Sequence, residues 1–256
     1  MNFLVNEIVE YFYAFLLPFA RISAFTLAVP VFSLDAFNLR FRIIFAAILT
    51  IFAMDLTNFN AQEIDTISLI WLVITQIFIG LFAGFSLQIV SGAVAVGGQA
   101  VSNSMGLSMA NMMDPNLGNV PIIAQFLIIL STFIFLAVDG HLIIVQLLLQ
   151  SFASFPIGQG LDLNSVYEIF STWTPLLFMG GLVLALPLMI SILLVNAGLG
   201  MITRAAPSLN IISVGFPAIL LAGFFLLMFS MPGVIQRIGK FWESGFELLA
   251  NIFGIT

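Results

Sequence analysis

Cysteine is absent from this chain of 256 residues, and histidine occurs once, at His141. Without cysteine the chain can form no disulfide, no thiolate metal site, no iron–sulfur cluster and no cysteine nucleophile. A single imidazole cannot build a histidine-rich metal site, and it leaves at most one such group for acid–base chemistry. We therefore expect no bound metal and no cofactor.

Charge is also scarce. Six basic and twelve acidic side chains make up 7% of the chain, whereas about 25% is usual for a soluble domain. Apolar residues make up 61%, and the mean hydropathy is +1.19. So few charges cannot cover a soluble globule, which excludes a soluble enzyme and a disordered tail. The lack of a basic patch excludes nucleic-acid binding. The chain is suited to lipid or to a large apolar assembly.

Four windows of the sequence carry no charged residue, and each exceeds the roughly 20 residues of a membrane-spanning helix. They cover 66–113, 115–138, 169–203 and 205–236. The apolar pattern predicts seven apolar helices and a final amphipathic one, at about 11–33, 41–56, 66–96, 121–138, 142–155, 175–203, 208–231 and 234–252. The predicted fold class is an all-α membrane protein.

Two details argue against a simple bundle of lipid-exposed helices. The 41–56 segment is short for crossing about 30 Å of hydrocarbon, and such segments are more often re-entrant or buried in protein. Proline and glycine also interrupt nearly every long segment, and broken helices at membrane depth survive only when protein or water covers the freed backbone groups. The interrupting residues are Pro18, Pro30, Gly80, Gly84, Gly92, Gly97, Gly98, Pro187, Gly198, Gly200, Pro217 and Gly223. We expect broken helices packed against many others, from this chain or from partner subunits.

Charge placement adds a second conflict. The polar loops at 55–65 and 159–168 are purely acidic, so the positive-inside rule places them outside and the turn at 40–42 inside. Counting crossings onward then places Arg237 and Lys240 outside, against the rule. This conflict predicts that not every apolar segment spans the membrane.

Two arginines lie among apolar residues, where a charge is costly and usually pairs, faces a cavity or marks a pathway. Arg21 lies inside the first apolar segment, so we expect a buried partner for it. Arg204 lies between two apolar helices. For Arg204 the alternatives are an interfacial cation at a helix end and a buried pair or inter-subunit contact.

Asp139, Gly140 and His141 stand between two apolar runs. One hypothesis is a proton relay, because histidine titrates near neutral pH and Asp/His pairs occur in transporters. The simpler alternative is a loop in which Asp139 caps the next helix and Gly140 makes the turn. We favour the loop, because capping explains both residues without further assumptions.

The most unusual stretch is 102–119, which is rich in methionine and flanked by glycine. It carries one charge, at Asp114, followed by Pro115. Methionine is flexible and seals irregular gaps, so this segment could close a passage and still move aside, with the glycines as hinges. A tightly packed interface loop would use methionine equally well, and both alternatives stay open. The methionines are Met105, Met109, Met112 and Met113, and the glycines are Gly97, Gly98 and Gly118.

No motif of a known enzyme mechanism is present: there is no H-E-x-x-H, no phosphate-binding G-x-x-x-x-G-K-[ST] and no dinucleotide fingerprint. No G-x-S-x-G elbow supports a serine hydrolase. We therefore do not expect an enzyme. From the residues alone, the chain is a multi-helix membrane protein with a possible gating segment, within an assembly.

Several short motifs, in their order and spacing, resemble the FliR family of flagellar biosynthetic proteins in the bacterial type III export gate, whose injectisome relatives are the SctT proteins. The resemblance covers essentially the whole chain, although Leu142 stands where many relatives have a second histidine. The motifs are Ala20-Arg21-Ile22-Ser23 with Pro30, Arg40-x-Arg42, Asp114-Pro115, Asp139-Gly140-His141 with Ser151 and Pro156, Arg204-x-x-Pro207-x-x-Asn210, and Gly215-Phe216-Pro217 with Gly223.

The resemblance implies a core subunit that assembles with FliP and FliQ, with FlhA and FlhB docking to that core. It implies a FliP-like part at 1–172 and a FliQ-like helical hairpin at 173–256, in the bacterial inner membrane within the flagellar basal body. Exported, unfolded flagellar subunits would pass through the pore, and segment 102–119 matches the family's pore plug. Lipid would be the remaining partner.

Residue roles follow from that resemblance. Met105, Met109, Met112 and Met113, with Asp114 and Pro115, would form the plug, and Gly97, Gly98 and Gly118 its hinges. Arg21, Arg204, Asp139 and His141 would hold buried charges or inter-subunit contacts. The alternatives from other classes are a self-contained secondary transporter with broken helices, which predicts an internal repeat that we do not find, and an intramembrane hydrolase that needs His141.

Overall fold

The computed structural model describes residues 2–32, 38–57, 65–107, 121–159, 163–205 and 215–255. Over these residues the protein is mostly helical, with short turns between the helices, and contains no strand. The helices are α1 (Asn2–Ala28), α2 (Leu39–Met54), α3 (Thr66–Ser104), α4 (Ile122–Ala137), α5 (Gly140–Ser154), α6 (Leu163–Ala205) and α7 (Phe216–Ile252).

Four stretches of helix are long and apolar enough to cross a membrane within the described part of the chain: Ile8–Ala28, Thr66–Ser104, Val166–Ala205 and Phe216–Ile252. Helices α4 and α5 pass the same test only as a pair, which bends by 68° at the break between them. The 16-residue α2 is not among these candidates. The predicted class, an all-α membrane protein, is confirmed.

The helices continue through most of the residues that the sequence predicted as interruptions. Helix α3 extends past the predicted end at 96 to Ser104, and α6 contains Pro175 and Pro187. The two helices predicted at 208–231 and 234–252 are one helix, α7, with Pro232 inside it. A proline removes one helical hydrogen bond, but ending a helix in apolar surroundings leaves about four carbonyls without partners. Continuing the helix therefore costs less than breaking it.

The break between α4 and α5 differs in detail from the predicted turn. Asp139 occupies the N-cap position of α5, as expected, but its side chain makes no capping hydrogen bond. Asp139 itself adopts the left-handed conformation, with φ of 54°, whereas Gly140 is the first, buried residue of the helix. The prediction that Gly140 makes the turn is wrong. A short polar side chain tolerates this backbone region better than most residues, so Asp139 takes the turn.

The chain forms two compact units, each assembled from separate stretches of sequence. The first unit comprises Met1–Ile89, Asp139–Trp173 and Glu243–Thr256, and the second comprises Val90–Val138 and Thr174–Trp242. Helices α3, α6 and α7 each contribute residues to both units.

Close contact between α1 and α3 organises the first unit. A Cβ atom on Gly80 would clash with the backbone oxygen of Arg21, and one on Gly84 would clash with the side chain of Ala28. The G-x-x-x-G pair therefore acts as a packing motif, which lets the two backbones approach. One turn beyond Gly84, the Gln88 side chain donates a 2.9 Å hydrogen bond to the Ala28 carbonyl, the last residue of α1.

The second unit packs α3 against α4 and α6 through similar contacts. A Cβ on Gly98 would clash with Ala124, and one on Gly97 would lie 2.7 Å from a Leu184 methyl carbon. Farther along, Trp242 of α7 is buried and donates its indole N–H to the Ser131 hydroxyl at 2.9 Å.

Candidate functional site: the buried Arg21 cluster and the end of helix α3

The Arg21 side chain is fully buried and joins three helices of the first unit. Its Nε donates to the Gln76 Oε1 of α3 at 2.8 Å. Its Nη1 donates to the Ser151 carbonyl and hydroxyl of α5, at 3.0 and 3.1 Å. Its Nη2 donates to the Phe155 carbonyl at 2.8 Å. All three nitrogens of the guanidinium are thus hydrogen-bonded, with α1, α3 and α5 held by one side chain.

Among the described residues, the charge of Arg21 is compensated by a helix end and not by a carboxylate. Ser151 and Phe155 lie at the C-terminal end of α5, where the macrodipole and the free carbonyls carry partial negative charge. The guanidinium carbon also lies 4.3 Å from the centre of the Phe152 ring, in the geometry of a cation–π contact. All of these partners are neutral. The planar, five-donor fork of arginine suits such a dispersed set of acceptors.

The Arg21 cluster contains one polar atom without a partner among the described residues, the Nε2 of the fully buried Gln76. Gln76 and Gln88 flank the two packing glycines of α3 at intervals of four residues, and each meets a polar group of α1. One face of α3 therefore carries both the close approach to α1 and the hydrogen bonds that fix its register.

Helix α3 ends in a defined capping structure that starts the methionine-rich segment. Gly106 has φ of 74°, its N–H bonds to the Asn103 carbonyl at 3.0 Å, and the Leu107 N–H bonds to the Ser102 carbonyl at 3.2 Å. These two bonds form a Schellman motif, the usual end of a helix at glycine. The helix end is thus set by local backbone bonds before the rest of the segment begins.

Met105 lies on this capped end and is fully buried. A Cβ atom on Gly223 of α7 would lie 2.7 Å from the Met105 methyl carbon and 2.9 Å from its Cγ, so the thioether fills the space that this glycine leaves. Met105 is therefore a contact between α3 and α7 within the second unit. The sequence had placed it in the loop that forms the plug.

The remaining residues of the predicted plug lie outside the described residues, as does the predicted hinge Gly118. The other two predicted hinges, Gly97 and Gly98, lie within α3 and pack against α6 and α4. The plug residues outside the description are Met109, Met112, Met113, Asp114 and Pro115.

The other candidate residues are more accessible in the chain alone. Arg204 is exposed in the last turn of α6, and Asp139 is exposed. His141 is half-buried, with an Nδ1 atom that has no hydrogen-bond partner among the described residues. In the same part of the chain, no three His, Asp or Glu side chains come together as ligands for a metal.

Two contacts of the structure have a signal in the sequence, one between α3 and α1 and one between Arg237 and the Val183 carbonyl. The repeat Gln76, Gly80, Gly84, Gln88 puts two amides and two glycines on one helical face, which favours a helix interface with hydrogen bonds at its ends. A proline four residues after Val183 predicts a carbonyl without its helical donor, and the structure places Arg237 there. The pairing of Arg21 with Ser151 has no such signal, because 130 residues separate the two.

Taken together, the apolar helices define an all-α membrane protein in which the buried polar cluster joins three helices. The family model described as "Bacterial export proteins, family 1" matches residues 12–245. The chain therefore belongs to this family of bacterial export proteins, as the sequence motifs predicted.

Relatives with the name flagellar biosynthetic protein FliR align with most of this chain. The flagellar biosynthetic protein FliR of Pectobacterium carotovorum subsp. carotovorum is 34% identical over 250 residues, 97% of this chain and 94% of that protein. FliR of Escherichia coli (strain K12) is 33% identical over 237 residues, 92% and 90% of the two chains. FliR of Bacillus subtilis (strain 168) is 27% identical over 258 residues, 98% and 99%.

Proposed function

We propose that this chain is a core subunit of the bacterial flagellar type III export gate, where it helps to form and close the channel for unfolded flagellar subunits. The observation that carries the proposal is the family match over 12–245, together with FliR relatives that align with nearly the whole chain. The chain is not an enzyme in this proposal. Energy for export comes from the membrane gradient and from other subunits.

The length of the helices supports a subunit of an assembly. Helices α3, α6 and α7 contain 39, 43 and 37 residues, or about 55–65 Å at 1.5 Å per residue. Hydrocarbon is only about 30 Å thick. In our proposal FliP and FliQ cover the excess apolar surface, FlhA and FlhB dock to that core, lipid covers the rest, and the complex lies in the inner membrane within the flagellar basal body.

Exposed apolar side chains support the same proposal. On α7 a run of large residues is exposed in the chain alone: Leu221, Phe224, Phe225, Met228 and Phe229. Exposed apolar patches of this kind mark surfaces that contact a membrane or another protein. The predicted division into a FliP-like part (1–172) and a FliQ-like hairpin (173–256) stays part of this proposal, and Arg204, Asp139 and His141 are available for inter-subunit contacts.

For closure, we propose that segment 102–119 plugs the channel from a fixed base. The capped end of α3 and the buried Met105 support such a base, because they hold the first residues of the segment to α7. The seal itself would come from Met109, Met112 and Met113, next to Asp114 and Pro115. Since α3 is helical and packed at Gly97 and Gly98, Gly118 is left as the hinge outside a described helix.

Co-purification tests the assembly. We expect the tagged chain, extracted in mild detergent from its own bacterium, to retain FliP and FliQ in a defined complex. Expressed without them, it should aggregate, because its apolar faces lack a cover. The measurement is size-exclusion chromatography with mass spectrometry of the retained subunits. A stable, monodisperse monomer that binds neither protein would contradict the proposal and favour a self-contained transporter.

A further inference from the structure

Pro187 leaves a backbone carbonyl of α6 without its usual hydrogen-bond donor. In an α-helix the N–H of residue i bonds to the carbonyl of residue i−4, and proline has no N–H. Pro187 lies inside α6, so the carbonyl that loses its donor is that of Val183. Val183 is 47% exposed in the chain alone, so its carbonyl faces lipid or a partner subunit in the membrane. In such surroundings no water is there to bond an unpaired carbonyl, and leaving it unpaired costs free energy.

Arg237 of α7 donates to this same carbonyl. Its Nη1 lies 2.7 Å from the Val183 oxygen, a short distance typical of hydrogen bonds with a charged donor. Both residues belong to the second unit. The two residues lie 54 positions apart in the sequence. The hydrogen bond joins α7 to α6 at the point where the helical hydrogen bonds of α6 are interrupted.

We propose that Arg237 supplies the hydrogen-bond donor that Pro187 lacks, and that this hydrogen bond fixes α7 against α6. Arg237 is then a positioning residue. Its charge does not pair with a carboxylate in this contact, and the stability that the contact contributes depends on Pro187. The proposal also accounts for a cation that the positive-inside rule places on the wrong side, since Arg237 is kept for a backbone contact. Its consequence for export, and only that consequence, rests on the proposed function.

The proline dependence gives a specific test. We expect Arg237→Ala to lower the midpoint of thermal unfolding by about 5 °C, because a charge-assisted hydrogen bond is lost. In the double variant Pro187→Ala with Arg237→Ala, the alanine N–H bonds to Val183 and the midpoint returns to within about 2 °C of the parent. The measurement is thermal unfolding of the full chain in detergent, within its complex when the partners co-purify and alone otherwise.

Two control variants separate this contact from general effects. Pro232→Ala removes another proline inside a helix, whose lost bond concerns Met228, so it should not rescue Arg237→Ala. Lys240→Ala removes an exposed cation one turn away and should leave the midpoint unchanged. If Pro187→Ala fails to rescue Arg237→Ala, or if Pro232→Ala rescues it equally well, the inference is wrong.

Export provides an independent readout. Secretion of flagellar subunits should fall several-fold in Arg237→Ala and recover in the double variant with Pro187→Ala. If the double variant regains thermal stability but secretion is normal in every variant, the hydrogen bond fixes the two helices but has no role in export. Loss of co-purification with FliP and FliQ in the parent chain would overturn the proposed function, while the thermal test of the contact would still apply.

Discussion

Deleting residues 108–117 is expected to leave the chain in its complex but to make the membrane permeable to small solutes. The Schellman motif and Met105 end α3 before residue 108, so the deletion removes the methionines of the plug and keeps the helix end. The result should be a large increase in ion conductance, from undetectable to readily measurable, when the purified complex is placed in a lipid bilayer.

A matched substitution controls for the loss of chain length. Replacing Met109, Met112 and Met113 by leucine keeps apolar side chains of similar volume and should keep the membrane tight. Replacing the same three by serine should make it leak. An assembled complex with the deletion whose membrane is as tight as that of the parent would show that this segment does not plug the channel.

Replacing Arg21 by alanine is expected to abolish accumulation of the folded chain. The substitution leaves the Gln76 amide and the carbonyls of Ser151 and Phe155 without the guanidinium, in a site that is buried at Gln76 and Ser151 and half-buried at Phe155. Each buried polar group left unpaired costs about 1–3 kcal/mol, and together they approach the 5–15 kcal/mol of a typical protein's stability. Immunoblots of membranes and resistance to protease measure the loss.

Lysine should not replace Arg21. Its ammonium is a point charge with three donors and cannot meet acceptors in the planar fork geometry of arginine. Gln76→Ala should have an intermediate effect, since it removes one of the bonds. Arg40→Ala is the matched control: it removes an exposed arginine in the first turn of α2, and the chain should accumulate normally. Normal accumulation and export with Arg21→Ala would show that the buried cluster is dispensable.

The apolar pattern of the sequence was sufficient to predict the fold class and the short helix α2. A helix needs about 20 apolar residues to cross the hydrocarbon, and α2 has 16 residues. The G-x-x-x-G spacing of Gly80 and Gly84 also carries a signal, since residues four apart lie on one face of a helix. Helix boundaries were predicted less well. Glycine was given too much weight at 97 and 98, and a break was predicted between 231 and 234, where the cost of unpaired carbonyls keeps the helix intact.

Contacts between distant residues could not be predicted from one sequence. A buried partner was expected for Arg21, but its acceptors are a helix end and an amide, which carry no formal charge and leave no pattern in the sequence. The same holds for the contact of Met105 with Gly223, which has no signal in the sequence. The sulfur of Met105 packs into a gap that only the fold creates.

The absence of cysteine from the chain permits the most direct test of the central claim, that exported subunits pass this protein at segment 102–119. A single Met112→Cys substitution is combined with an export substrate that carries one cysteine and is stalled in the channel by a stably folded fusion. We expect a disulfide cross-link at position 112 only while the substrate is stalled, and none with Phe229→Cys on the exposed face of α7. A stalled substrate that cross-links to neither position, or to both equally, would show that subunits do not pass this protein at segment 102–119.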